Sequence, residues 1–141
     1  MKVGIKKLHP DAIIPKYAKS GDAGLDLTAT EIIKEEAFQV TYGIGLAVEI
    51  PLGYVGLLFP RSSVRNYQLA LSNCVGVVDS GYRGEIQFTF NKTGGVPSKK
   101  YEVGERVGQM IIMPYPEIEL VELDNLSSSE RGEGGFGSSG K

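Results

Sequence analysis

Three groups of residues carry types and spacings that could do chemistry. The first is Asp79 and Tyr82, a carboxylate and a phenol flanking Ser80-Gly81. Val75, Val77 and Val78 lead in, and Ile86, Phe88 and Phe90 follow, alternating with Glu85, Gln87 and Thr89. A carboxylate in such a frame can take a proton, and the pair either faces a ligand or closes a turn. An Asp at a turn entrance commonly bonds the backbone two residues on, and Tyr is a frequent strand residue. The second group is Pro60-Arg61-Ser62-Ser63, leading into Val64-Arg65-Asn66-Tyr67. That run predicts a short helix capped by Ser62 or Ser63, whose free N–H groups point back toward Arg61. A helix N-terminus beside an arginine and two hydroxyls suits an anion; an ordinary cap after a buried strand accounts for it equally. The third is the serine- and glycine-rich end, residues 127–141, with Arg131 and Phe136. Its composition is that of a disordered tail. It could also serve as a strap, its amides and hydroxyls wrapping phosphates, Arg131 pairing with them and Phe136 stacking on a base.

The elements that must position these groups read as short strands and turns. Val3, Ile5 and Lys7 begin an alternating segment that Pro10 stops, residues 15–24 are irregular, and Leu25-Asp26-Leu27 resumes the strand pattern. Glu31 to Glu36 fits a helical turn or a ragged strand. Phe38-Gln39-Val40 and Ile44 to Ile50 read as strands, the latter with Leu46, Val48 and Ile50 on one face. Pro51-Leu52-Gly53 is a turn. Tyr54 to Phe59 and Val107 to Met113 are nearly continuous apolar runs, predicting strands buried on both faces. The valine run and the Gln87 run, joined through Ser80-Gly81, predict a β-hairpin with Gly81 at positive φ. Ile118, Leu120 and Leu123 alternate before the apolar content ends. Many short strands with regularly spaced turns predict an all-β, jelly-roll-like β-barrel. It occupies residues 1–126, and residues 127–141 form a flexible arm.

Composition narrows the function classes. A chain of 141 residues is one domain's worth, and its nineteen glycines are about twice the usual share. Fifteen basic residues against seventeen acidic ones give a formal charge of −2. That argues against a duplex-coating surface and stable nucleic-acid binding, so phosphate chemistry must rest on a few placed groups. The single Cys74 cannot form an internal disulfide, and no charged-then-apolar leader precedes Val3, so an intracellular, cytoplasmic location is expected. No apolar run is long enough to span a bilayer as a helix.

Together these stretches resemble the trimeric dUTP pyrophosphatase (dUTPase) family over nearly the whole chain, with five motifs in the family's order. The first is Ala23-Gly24-Leu25-Asp26-Leu27 and the second Pro60-Arg61-Ser62-Ser63. The third is Gly76-Val77-Val78-Asp79-Ser80-Gly81-Tyr82-Arg83-Gly84, the fourth Gly104-Glu105-Arg106-Val107-Gly108-Gln109, and the fifth runs from Arg131 to Gly140. Gly108 stands where the family usually has alanine, which suggests looser packing, and Ser139 where it usually has threonine.

The resemblance implies a jelly-roll homotrimer with three active sites shared between subunits. It implies hydrolysis of dUTP to dUMP and pyrophosphate, with Mg2+ carried by the triphosphate, which limits uracil incorporation into DNA and supplies dUMP for dTMP synthesis. By the same resemblance Asp79 holds the attacking water as general base. Asn73 and the main chain near Val78 and Gln87 read the uracil edge, and Tyr82 lies against deoxyribose. Arg61, Ser62, Ser63 and Gln109 contact phosphates, and Asp26 holds a metal-bound water. Arg131 meets the γ-phosphate, Phe136 covers the uracil, and Gly137 and Ser138 help seal the phosphates. Two alternatives remain open: a dCTP deaminase, for which Glu85 is the available catalytic glutamate, and a nucleotide-gated binding protein without turnover.

Overall fold

The computed structural model describes residues 1–95 and 97–135. Among the described residues ten strands form: β1 (Gly4–Lys7), β2 (Leu25–Thr28), β3 (Glu31–Glu35), β4 (Gln39–Gly43), β5 (Leu46–Glu49), β6 (Tyr54–Phe59), β7 (Leu69–Leu71), β8 (Gly76–Val78), β9 (Gln87–Lys92) and β10 (Arg106–Pro114). One four-stranded sheet has the order β2-β10-β6-β8, a second β3-β4-β9-β7, and β1 pairs with β5 alone. The architecture is all-β and jelly-roll-like, as expected. Among the described residues it is not closed into a barrel: β2 and β8 edge one sheet, β3 and β7 the other.

The core lies between the four-stranded sheets. Period-2 alternation buries Phe88 and Phe90 on β9 while Gln87 and Asn91 face out. Tyr42 of β4 meets Phe90 edge-on at 6.0 Å and donates its hydroxyl to the Tyr101 carbonyl at 2.8 Å. Burial pushes the Tyr42 phenol well above its usual range, so it stays neutral. From the other sheet come Leu27, Leu58, Val107 and Met110. At Gly108 of β10 an added Cβ would sit only 2.2 Å from Phe88 Cε1. The glycine therefore does not loosen the packing; the Phe88 ring occupies the space an alanine methyl would need.

The structure makes Glu31–Glu35 a strand, with Glu36 beyond its end, and corrects three expectations. β6 and β10 are not buried on both faces. Leu58 and Met110 point into the core, with Ile112 packed against it at their edge, whereas Leu57 and Ile111 on the other side are only half-covered. The β-hairpin does not form. β8 pairs with β6 and β9 pairs with β4 and β7, so the loop between them crosses from one sheet to the other. Buried Ile86 draws the loop's exit away, accepting from the Ile44 amide at 3.2 Å and donating to the Leu46 carbonyl at 2.9 Å. Gly81 is not among the glycines at positive φ, although Tyr82 N–H does close the turn on the Asp79 carbonyl at 3.0 Å.

Strand pairing ends at β10, after which Tyr115 N–H still bonds the Gly53 carbonyl. Ile118, Leu120 and Leu123 then stand exposed, with no strand partner among the described residues. No helix among those residues is long and apolar enough to cross a membrane.

Candidate active site

The turn at Asp79–Tyr82 forms one wall of a cleft of about 250 Å³. Asn73, Val78, Asp79, Tyr82 and Gln87 all line it, so the structure brings together the barrel residues expected on the base and sugar side. β8 supplies Val78 and the approach to Asp79, and β9 begins with Gln87, so the sheet crossover is what places them around one cavity. Asp79, Asn73 and Gln87 are exposed. Tyr82 is folded back, donating its hydroxyl to the Glu85 carbonyl at 3.0 Å. That pose needs Gly84, where an added Cβ would lie 2.3 Å from the Tyr82 oxygen. Glu85 also lines the cleft, but its Oε1 accepts the Gly45 amide at 2.7 Å, which gives this carboxylate a backbone-tethering role.

A second cluster gathers where β2, β10 and β6 run side by side. Gln109 is opposite both Asp26 and Phe59 in the ladders, which sets its side chain beside the chain's exit from β6. Its Nε2 donates to the Pro60 carbonyl at 3.1 Å, and its Oε1 fills the space beside Gly24, 2.2 Å from where a Cβ would be. Arg61 follows. Its Nε donates to Asp26 Oδ1 at 2.8 Å and its Nη1 to Ser63 Oγ at 3.3 Å. Arg106 Nη1 donates to the other Asp26 oxygen at 3.0 Å. Arg106 lies in the fourth motif, but its pairing with Asp26 was missed because it depends on a register shift between Arg106 and Gly108.

The expected serine cap is corrected here. The helix is a single 3₁₀ turn, Ser62–Asn66, whose N-cap is Arg61 with no side-chain cap bond. Both serines fall inside the turn, since β6 runs to Phe59 and Pro60-Arg61 complete its exit. Ser62 is exposed, whereas Ser63 faces Arg61. Behind them Tyr67 donates to Glu105 Oε1 at 2.7 Å; that bond, with burial, holds its phenol up to about 12. The Tyr101 hydroxyl, also buried, has no hydrogen-bond partner among the described residues, with Ser63 near but not in bonding geometry.

Among the described residues no three His, Cys, Asp or Glu side chains converge as a metal cage. Asp26 has a guanidinium on each oxygen, which disfavours direct contact with a cation. Two carboxylate oxygens offer about four lone-pair sites, so two remain for the protons of a metal-bound water. The arrangement fits a Mg2+ that brings its ligands with a polyphosphate and touches the protein through water.

The two clusters share no lining residue. Val78 pairs with Gly56 on antiparallel β6, which puts Asp79 level with Val55, near the strand's start, whereas Arg61 lies past its end. At about 3.3 Å per residue, the six residues from Val55 to Arg61 separate them by about 20 Å in one chain. Arg131 stands in a locally bonded turn, its Nε donating to the Gly134 carbonyl at 2.9 Å, and touches neither cluster. Phe136, Gly137 and Ser138 lie outside the described residues.

A model of the dUTPase family matches residues 10–140. The chain belongs to the dUTPase family. Among curated relatives, the deoxyuridine 5'-triphosphate nucleotidohydrolase of Nautilia profundicola is 40% identical over 144 residues, covering 100% of both chains. That of Thermobifida fusca is 39% identical, covering 99% of this chain and 79% of the relative. Among solved structures, the Staphylococcus bacteriophage 80alpha dUTPase with dUPNHPP is 30% identical, has a TM-score of 0.89 and covers 99% of each chain. A phage phi11 dUTPase described with a structural Mg(II) ion is 23% identical at a TM-score of 0.78, a likeness of fold.

Proposed function

We propose that this chain hydrolyses dUTP to dUMP and pyrophosphate. The observation that carries the reading is the cleft that gathers Asn73, Val78, Asp79, Tyr82 and Gln87, in a chain that also holds an arginine–serine cradle for phosphates. Family membership and the nucleotide named with the 80alpha structure support the substrate. Water oxygen attacks the α-phosphorus, the bond to the bridging oxygen of pyrophosphate breaks, and Asp79 takes the water's proton. Its exposure in the cleft leaves the carboxylate open to that water. Asn73 and the main chain beside Val78 and Gln87 read the uracil edge, and the Tyr82 ring closes the space a 2′-hydroxyl would need. Arg61, Ser62, Ser63 and Gln109 hold the phosphate oxygens. Bound Mg2+ supplies neutralisation of triphosphate charge; Asp26 orients one of its waters.

The roughly 20 Å between Asp79 and Arg61 exceeds the hydrogen-bond reach that a base and a phosphate cradle need on one substrate. A complete site therefore takes Asp79 from one copy and Arg61 from another, in a homotrimer. The half-covered outer faces of β6 and β10, and the exposed Ile118, Leu120 and Leu126, are the apolar surfaces such an assembly would cover. The arm from residue 127 supplies Arg131, Phe136, Gly137 and Ser138 as a late-closing strap.

The deciding experiment is incubation with dUTP, dTTP, dCTP and UTP in Mg2+, following pyrophosphate release. The expected result is turnover of dUTP with little of the other three. Orthophosphate release, dUTP formed from dCTP, or comparable rates on UTP would each overturn the reading.

A further inference from the structure

The Asp79–Tyr82 turn needs something outside itself to hold it. Its single backbone bond leaves Gly81 unconstrained: no atom lies within 4 Å of where a Cβ would stand. Glycine loses the most conformational freedom on ordering, so an unrestrained Gly81 lets both ends of the turn drift. Those ends carry the carboxylate and the phenol that line the cleft.

Arg83 supplies the restraint. Its Nη1 donates to two carbonyls of the turn, Ser80 at 2.6 Å and Tyr82 at 2.9 Å, one on each side of Gly81. Its Nη2 donates to Glu49 Oε1 at 3.3 Å, at the end of β5. Glu49 in turn lies against Gly4 of β1, where an added Cβ would come within 2.9 Å of the carboxylate. A planar fork with several donors can tie two carbonyls and a carboxylate together at fixed angles, which a lysine's single ammonium cannot. The side chain is half-exposed, so its ion pair adds little to overall stability.

Resting on the function proposed above, we propose that Arg83 is a positioning residue. It anchors the catalytic turn to β5 through Glu49, and so sets the place of Asp79 and the sugar-side closure by Tyr82 together. Two properties then depend on one guanidinium: turnover of dUTP, through Asp79, and rejection of UTP, through Tyr82.

The test measures wild type, Arg83→Met, Arg83→Lys and Arg83→Met/Gly81→Ala for kcat on dUTP, for the dUTP-to-UTP ratio of kcat/KM, and for melting temperature. A misplacement of about 1 Å can cost about 100-fold in rate, so Arg83→Met is expected to lose about 10–100-fold in kcat. Its selectivity for dUTP over UTP falls as well, while its melting temperature stays near wild type. Arg83→Lys recovers only part of the loss. Gly81→Ala, which meets nothing and stiffens the turn, also recovers part. Wild-type kcat and selectivity in Arg83→Met, with wild type active on dUTP, would overturn this inference alone. So would a loss of kcat that tracks a fall in melting temperature with selectivity unchanged. A wild type that releases no pyrophosphate from dUTP overturns the proposed function and this inference with it.

Discussion

Gly108→Ala tests how the core is filled at the residue next to Gln109 in β10. The new methyl would lie 2.2, 2.3 and 2.8 Å from Cε1, Cζ and Cδ1 of Phe88, all below any real carbon contact. Phe88 cannot swing aside cheaply: it is fully buried and stacks on Phe90 with ring planes 13° apart. Overpacking of this kind costs about 1–3 kcal/mol. Alanine also restricts the unfolded chain, which offsets about 0.4–1 kcal/mol at a position with ordinary φ. Overpacking wins, leaving a net loss of about 0.5–2 kcal/mol, or a fall of about 2–8 °C in melting temperature for a chain of this length. The measurement is thermal and urea unfolding at one fixed protein concentration, because the proposed assembly would make the midpoint depend on it. Phe88→Leu in the same chain should remove the clash, so the double variant should be more stable than the two single effects predict, by about 1 kcal/mol. A neutral or stabilising Gly108→Ala, or strict additivity with Phe88→Leu, refutes the argument that the ring occupies the alanine's place.

Asp79→Asn keeps the shape of the turn but removes the proton acceptor, so kcat should fall by about 10²–10⁴ with KM little changed. Mixed assemblies of this variant with chains ending at Ser129 should regain part of the activity, because some sites then combine an intact Asp79 with an intact arm; mixtures as inactive as their parents would refute shared sites. Glu35 tests the electrostatics far from the cleft. Hydrogen bonds from Lys100 and then Lys92 hold its carboxyl below the ordinary glutamate value of 4.5. Its folded value thus lies below its unfolded one, so the stability it adds is present above about pH 4.5 and is lost as pH falls through the folded value. With Glu35 more than a third exposed, that stability is at most about 1 kcal/mol. Urea midpoints of wild type and Glu35→Gln should therefore differ slightly at pH 7 and converge toward pH 3; a gap that stays constant or widens contradicts the pairing.

Local features of the chain were legible where local physics decides them. Alternation announced β9 through Phe88 and Phe90 and β5 through Leu46 and Val48, and Pro51-Leu52-Gly53 marked a real turn. What failed was partner choice. A valine run, a turn and an alternating run are equally compatible with a hairpin and with two strands in different sheets, and only the bonds of Ile86 to Ile44 and Leu46 decide. The serine cap failed for a related reason: where β6 ends is set by its ladder to Gln109, and that makes Arg61 the cap. The two arginines on Asp26, and the reach of Arg83 to Glu49, depend on register and loop path and left no periodic trace in the sequence.

On the proposed function, the same strand explains why a chain this small would divide its chemistry between copies. β6 pairs with β10 on one side and β8 on the other, so it carries both clusters, and its antiparallel pairing with β8 sends them to opposite ends. Bringing Asp79 to Arg61 within one chain would mean breaking that ladder, whereas a second copy can present the missing half without disturbing any strand. The paired state of Asp26 fits this division. Arg61 and Arg106 are bound to its two oxygens, so the cluster at this end of β6 is held together by the chain's own contacts. On the proposed function, a triphosphate would meet cations that are already positioned, which would reduce the reorganisation left for the reacting complex. On that reading the cost is that Arg61 would share its donors between Asp26 and phosphate. Its Nε faces Asp26 at 2.8 Å and its Nη1 reaches Ser63 at 3.3 Å, so on that reading Nη2, which has no hydrogen bond among the described residues, is the donor left for substrate.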